Sequence, residues 1–326
     1  MTSMRTRPNG QSGTAIITAL LVVLLAASVA AFLLAQQSHA LTRTARATER
    51  AQAMLFTQPL LQWARVSLFE FQKNNKSVDL TQRWAQPIGA QPIEGAIATG
   101  FFRDETGRFN VNNLVSDDGR QSPADIAVFK RLLENLGLNP ELAYAIADWV
   151  DSDDETSFPG GAEDLTYLAL PQPYRTANRR MLQIEELYSV KGIDVATLAK
   201  LKPFITALPT RSKININTAP QEVLAAALPE LGKAALDELL SRRMTQPFKS
   251  LDDDKDVKGI RTYLKEVPPA KVEQLMDFNS GYFSISLGIS AGSTQLRQSA
   301  LFQRVSANAS IPNATAWPRI IWVKDD

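Results

Sequence analysis

"GQSGTAIITALLVVLLAASVAAFLLAQQ", residues 10–37, decides how the rest of this chain is read. From Thr14 to Ala35 run 22 residues without a charge, and the next charged residue is Arg43. At about 1.5 Å per residue such a helix reaches roughly 33 Å, enough to cross the hydrocarbon core of a bilayer. Three readings are open: a cleaved secretion signal, a plain membrane anchor, or an anchor kept after a short leader is removed. Arg5, Arg7 and the small-x-small triplet Ser38-His39-Ala40 favour the first. The length of the apolar run opposes it, because the core of a signal peptide spans only about 7 to 15 residues.

Composition frames the choice. The chain has 326 residues, 44% hydrophobic and 21% charged, which suits about two globular domains. With 35 basic and 34 acidic residues the net charge is +1, so no global field draws the chain to nucleic acid or to an anionic surface. Cysteine is absent, which removes disulfides, thiolate metal sites and a cysteine nucleophile, and leaves the redox compartment open.

A short basic leader, then Gly13, then an unbroken apolar helix resembles the class III leader of type IV pilins and type II secretion pseudopilins. That resemblance implies cleavage after Gly13 by prepilin peptidase, a mature and methylated N-terminus at Thr14, and an apolar helix retained in the inner membrane. Most members of the group carry glutamate at the fifth mature position, where this chain has Thr18. A carboxylate within the membrane is costly unless paired, and in these filaments it is thought to pair with the terminal amine of a neighbour. Thr18 cannot form that pair. Together with the size of the chain, this departure resembles the minor pseudopilin K family of the type II secretion system.

Beyond the membrane, Arg43, Arg46, Glu49 and Arg50 read as a solvated helix face. Apolar residues continue at helical spacing through Leu55, Leu61, Val66, Leu68 and Phe69, so one long helix is expected to about Asn74, bent at Pro59. "GAIATGFFRDETGRFNVNNL", residues 95–114, reads as a hairpin turning at Asp104 to Gly107, and residues 281–305 as a second hairpin around Gly292. "RIIWV", residues 319–323, reads as a final strand. The fold class is therefore α+β: a pilin-like long N-terminal helix packed on an antiparallel sheet, with a large all-helical insertion domain of helix-hairpin-helix or SAM-like type. The divisions are a leader at 1–13, a transmembrane part at 14–42, a pilin-like α/β domain at 43–121 and 280–326, and the insertion at 122–279.

Three segments of the insertion share a helix, Gly-centred turn, helix pattern: "LLENLGLNPELAYAIADWV", "IEELYSVKGIDVATLAKLKPFI" and "FKSLDDDKDVKGIRTYLKEV". Between the last two, residues 214–243 strongly resemble the helix-hairpin-helix of DNA-uptake and repair proteins, with a turn at Leu231-Gly232-Lys233. A membrane-anchored DNA- or substrate-binding protein is the alternative reading. Charge argues against it, since Lys213 to Val267 holds nine basic and nine acidic residues and offers no excess to neutralise phosphates. A structural hairpin packing Leu224, Leu228, Leu236 and Leu239, with Asn217 and Thr218 capping its first helix, is expected instead.

The most chemical stretch is "ADWVDSDDETSFPGGAEDLTY", residues 147–167. Asp148, Asp151, Asp153, Asp154, Glu155, Glu163 and Asp164 place seven carboxylates in 17 residues, and no Lys or Arg occurs from Leu132 to Tyr174. Crowded carboxylates without basic neighbours need protonation or a cation, and oxygen ligands with no Cys or His suit Ca²⁺. An EF-hand is excluded, because a loop starting at Asp151 has Thr156 at its sixth position and Ala162 at its twelfth. The spacing Asp148-Trp149-x-Asp151-x-Asp153, followed by Gly161-Ala162-Glu163 and Tyr167, resembles the acidic block of the pseudopilin K family. The resemblance implies Asp151, Asp153 and Glu163 as calcium ligands, with Asp148, Asp154, Glu155 and Asp164 as further candidate ligands.

No enzyme is expected. The single histidine, His39, sits on the anchor, so no Ser-His-Asp arrangement can form in the head. A two-carboxylate hydrolase would need a cleft with aromatic walls, and Trp84, Trp149, Trp317 and Trp322 are scattered in sequence. The resemblance implies a minor pseudopilin that caps the pseudopilus tip and helps to start its assembly for export across the outer membrane. The implied location is the inner membrane, single-pass, with the head in the periplasm. Implied partners are the other minor pseudopilins, the major pseudopilin, prepilin peptidase, and the secreted cargo or outer-membrane channel, with no nucleic acid.

Overall fold

The structure is a computed structural model and describes residues 12–75, 77–250, 260–304 and 317–326. The leader arginines and the centre of the third helical repeat lie outside these residues.

Helix α1, Ser12–Asn74, is 63 residues long with Pro59 inside it. Among the described residues it is the single helix long and apolar enough to span a membrane, and its most apolar window is wholly exposed. Thr18 Oγ1 donates to Thr14 O at 3.0 Å and to Ala15 O at 2.9 Å, so its hydroxyl is satisfied within the helix itself. From Ala53 onward α1 packs on the rest of the chain. Ala53, Leu61, Ala64 and Leu68 are buried, at helical spacing along one face. Leu55 and Val66, apolar residues of the same helical run, fall on the opposite face and stay exposed. Glu49 also does more than face solvent: it accepts from Ser293 N at 3.0 Å, Ser293 Oγ at 2.9 Å and Thr294 Oγ1 at 3.1 Å.

Two strands follow, β1 (Ile88–Ile93) and β2 (Ala96–Asp104), and then the two-residue strand β3 (Phe109–Asn110). The expected hairpin turning at Asp104 to Gly107 does not form. Strand β2 instead pairs back onto β1 across a turn at Gly95, whose φ is +82°. The sequence of β1, "IGAQPI", hides this, since Gly and Pro depress strand propensity and Pro92 is tolerated because β1 is a sheet edge. At Asp104 the chain leaves the sheet, and Phe109 stacks on Phe129 with ring centroids 5.1 Å apart.

Helices α2 (Pro123–Asn135), α3 (Leu142–Val150), α4 (Asp164–Leu168) and α5 (Val195–Leu201) lead to the short strands β4 (Ile205–Thr206) and β5 (Ile214–Asn215). Helices α6 (Gln221–Ala227), α7 (Lys233–Thr245) and α8 (Pro269–Leu275) then lead to β6 (Met276–Asp277). This region is not all-helical. β3 pairs with β4 and β5 with β6, both parallel, because the chain returns twice beside the point where it left the sheet. Its core runs from Phe109, Val111 and Leu114 through Phe129, Ile146 and Tyr167 to Leu224, Leu228, Leu236 and Leu239.

Helices α6 and α7 form the expected hairpin, but its caps differ. Pro220 stands at the N-cap of α6 without a side-chain cap. Asn217 is instead joined to Phe248, donating to its carbonyl at 2.8 Å and accepting from its N–H at 2.9 Å. Arg243, a charge that a phosphate contact would need, is buried and donates to Ile216 O at 2.9 Å and Ala219 O at 2.6 Å.

The chain ends in β7 (Tyr282–Ala291), β8 (Thr294–Gln303) and β9 (Arg319–Asp325), with the expected tight turn at Gly292. The sheet order is β1-β2-β7-β8-β9, antiparallel throughout. Asp104 and Phe283 are direct partners across β2 and β7, so the helical region leaves and re-enters the sheet at adjacent points. One sheet face, with Phe102, Phe283, Ile285, Leu287 and Phe302, packs on Leu61 and Leu68 of α1.

Several contacts fasten the helical region to the sheet. Leu208 packs with Tyr282 and Leu301. Glu185 accepts from Lys324 Nζ at 2.9 Å. Asp104 is buried and takes donors from both sides, Thr106 N at 2.9 Å, Thr218 Oγ1 at 2.6 Å, Ser280 Oγ at 2.5 Å and Asn215 Nδ2 at 3.0 Å. Burial pushes its carboxyl above the usual range against these bonds.

Candidate metal centre

The last turn of α3 is apolar except for Asp148, which is fully buried beside Trp149. Trp149 meets Tyr167 edge-on at 5.3 Å, and Tyr174 stacks on Tyr167 at 5.2 Å, so aromatic rings wall one side of the turn. After α3 the chain folds back on itself. Asp148 Oδ2 accepts from Ser157 N at 3.1 Å and Ala162 N at 2.8 Å. This closure requires glycine at 161, where a Cβ would collide with Asp148 Oδ2 and the backbone of Ser157. The return brings Glu163, at the N-cap of α4, beside Asp151, at the C-cap of α3.

Asp148, Asp151 and Glu163 thus offer carboxylate oxygens that all lie within 4.8 Å of one another, and all three residues are buried. Gln121 Nε2 donates into the group, 2.8 Å from Asp148 Oδ1 and 2.8 Å from Asp151 Oδ2. Asp151 Oδ1 and both carboxylate oxygens of Glu163 are buried without a hydrogen-bond partner. Burial, with the charges of Asp153, Asp148 and Asp154 added, pushes Asp151 up to about 7. Burial, with Asp148, Asp151 and Asp154 added, pushes Glu163 up to about 8. Buried carboxylate oxygens that lack donors are costly. A divalent cation satisfies them without protonation, and an all-oxygen set suits the hard ions Ca²⁺ and Mg²⁺. The residues fit such an ion.

The other acidic residues of the block do not join this group. Asp164 faces away, its Oδ1 accepting from Thr176 N at 3.0 Å and its Oδ2 from Arg175 at 2.5 Å, a basic partner just past the acidic run. Asp153 is exposed and accepts from Glu155 N at 2.9 Å in a local turn. Asp154, also exposed, is bound by Asn178 Nδ2 at 3.1 Å, while its charge still acts on Asp151 and Glu163. The sequence reading missed Gln121, 27 residues ahead of Asp148. It also missed Lys191, whose Nζ reaches Gly161 O at 3.4 Å and whose N–H donates to Tyr167 Oη at 3.2 Å. No local pattern marks either residue, because both arrive through tertiary packing. A cavity of about 880 Å³ between α1 and the sheet is lined by Trp63, Phe71, Trp84 and Phe102 and by none of the three clustered carboxylates.

Two family models, both described as "Type II secretion system (T2SS), protein K", match residues 107–210 and 214–263. The type II secretion system protein K of Pectobacterium carotovorum subsp. carotovorum is 31% identical over 316 residues, covering 91% of this chain and 93% of that protein. That of Pseudomonas aeruginosa is 33% identical over 255 residues, covering 75% and 76%. That of Aeromonas hydrophila is 29% identical over 316 residues, covering 91% and 94%. A chain in the crystal structure of the GspK-GspI-GspJ complex from the enterotoxigenic Escherichia coli type 2 secretion system has a similar fold. Its TM-score is 0.70 at 24% identity, over 87% of this chain and 99% of that one.

Proposed function

The chain belongs to the protein K family of the type II secretion system, and on that footing we propose that it is a minor pseudopilin capping the tip of the pseudopilus. It helps to start assembly of the filament and is a structural subunit rather than an enzyme. The observation that carries this reading is the bulky helical region inserted between β2 and β7 of a pilin-type body. A subunit so enlarged suits the one place in a filament where nothing stacks above it. Thr18 supports the same placement, because its hydroxyl is satisfied inside α1 and asks for no neighbour's amine.

In this reading α1 is a single-pass inner-membrane anchor, and the sheet and helical head stand in the periplasm. Prepilin peptidase cleaves after Gly13 and Thr14 is methylated. The partners are the other minor pseudopilins, by analogy with the complex formed by the protein of similar fold, and the major pseudopilin below them. The exposed head meets the secreted cargo or the outer-membrane channel, and nucleic acid is not a partner. Asp148, Asp151 and Glu163 hold a calcium ion, which supplies the positive charge that the inside of the loop lacks. Asp153, Asp154 and Asp164 act from outside the first ring of ligands.

Co-expression of the tagged full-length chain with the minor pseudopilins of its own secretion system, extraction in detergent and affinity purification tests the placement. A stoichiometric complex that survives high salt is expected. A chain that elutes alone, or that retains duplex DNA with a steep salt dependence, contradicts it.

A further inference from the structure

Gln121 carries an assignment that the acidic residues alone do not suggest. Its amide nitrogen lies 2.8 Å from Asp148 Oδ1, 2.8 Å from Asp151 Oδ2 and 2.7 Å from Ser157 Oγ. An amide NH₂ has two hydrogens, and here three oxygens surround it. The nitrogen therefore stands in a cage of oxygens at 2.7–2.8 Å from each, close to the separation of neighbouring ligand oxygens around a calcium ion, whose calcium–oxygen distances are about 2.3–2.6 Å. Beside it, both oxygens of Glu163 and Oδ1 of Asp151 are buried and unpartnered, so the cage is incompletely satisfied by the amide. The backbone of Gln121 is pinned by its bridge to Val115, which leaves the side chain as the part that can respond.

Building on the calcium reading of this cluster, we infer that Gln121 is the internal donor that holds the metal-free site together and, after its amide turns over, one of the ion's ligands. Without an ion the nitrogen points inward and donates to Asp148 Oδ1 and Asp151 Oδ2. With an ion the preference reverses, and the oxygen points inward. The last torsion of glutamine is broad and roughly two-fold, so the exchange needs no backbone movement. One side chain thereby holds the loop together in both states, as a donor in one and an acceptor in the other.

The full-length chain in detergent is titrated with calcium chloride by calorimetry and with terbium by luminescence decay in H₂O and D₂O, which counts waters on the ion. Gln121→Leu is expected to bind calcium at least about tenfold more weakly than the wild type, with about one more water on terbium in place of the lost oxygen. Gln121→Glu is expected to bind more tightly with the wild-type water count, and it decides the matter if the leucine variant does not fold. Wild-type binding that neither substitution changes, with equal water counts, overturns the role of Gln121 and leaves the calcium site standing. Absence of calcium and terbium binding by the wild type overturns both.

Discussion

Calcium added to the chelator-treated, full-length protein in detergent is expected to raise its melting temperature by roughly 10 °C at neutral pH, and chelation to reverse the shift. The physical cause is the unpartnered oxygen set of Asp151 and Glu163. An ion that binds the folded state alone stabilises it in proportion to the logarithm of its concentration, about 4 kcal/mol at a thousand times the dissociation constant. For a head of this size each kcal/mol moves the midpoint by about 2–4 °C. The effect should also depend on pH. Asp151 and Glu163 keep their protons up to about 7 and about 8 when folded, against ordinary values of 3.8 and 4.5. Between those limits the metal-free folded state binds more protons than the unfolded chain, so its stability is present at low pH and is lost as pH rises through 7 and 8. Calcium needs the ionised carboxylates, so its stabilisation grows over the same range. Melting curves at pH 5.5 and pH 8, with calcium and with chelator, should separate most at pH 8. Curves that coincide at both pH values in millimolar calcium remove the site.

Replacing Asp104 by alanine is expected to be strongly destabilising. The carboxylate accepts from Thr106, Thr218, Ser280 and Asn215 where the sheet meets the helical region. Truncation leaves Thr106 N without its bond, and each buried group so stranded costs about 1–3 kcal/mol. The hydroxyls of Thr218 and Ser280 can turn elsewhere, so a loss of about 3 kcal/mol or somewhat more is expected, or roughly 10 °C in melting temperature. Asp104→Asn keeps the shape and one carbonyl acceptor and should cost distinctly less. Thermal melting of the two variants in one buffer checks the order, and an alanine variant within about 1 kcal/mol of wild type would show that the junction rests on other contacts.

Much of the body was legible in the sequence because its signals are local. The 22 uncharged residues from Thr14 announce α1, and Gly292 between two alternating runs announces the β7–β8 turn. Where a residue's partner is distant, local rules fail. Asn217 and Thr218 have the chemistry of helix caps, yet Phe248 and Asp104 claim them. The strand β1 carries Gly and Pro and is held in place by β2 alone. The acidic block shows the same division. Composition announces the crowding of carboxylates, but the backbone donors of Ser157 and Ala162 choose which of them turn inward, by closing the loop on Asp148. Arg175 withdraws Asp164 from 11 residues away, and Gln121 enters from 27 residues upstream.

The central claim, that this chain is a processed pseudopilin subunit, is tested most directly by the mass of the mature protein taken from the inner membrane of its own host. The account predicts a chain that begins at Thr14 and carries a methyl group on its terminal amine. A chain that begins at Leu41, after Ser38-His39-Ala40, has lost the spanning part of α1 to a signal peptidase and contradicts it.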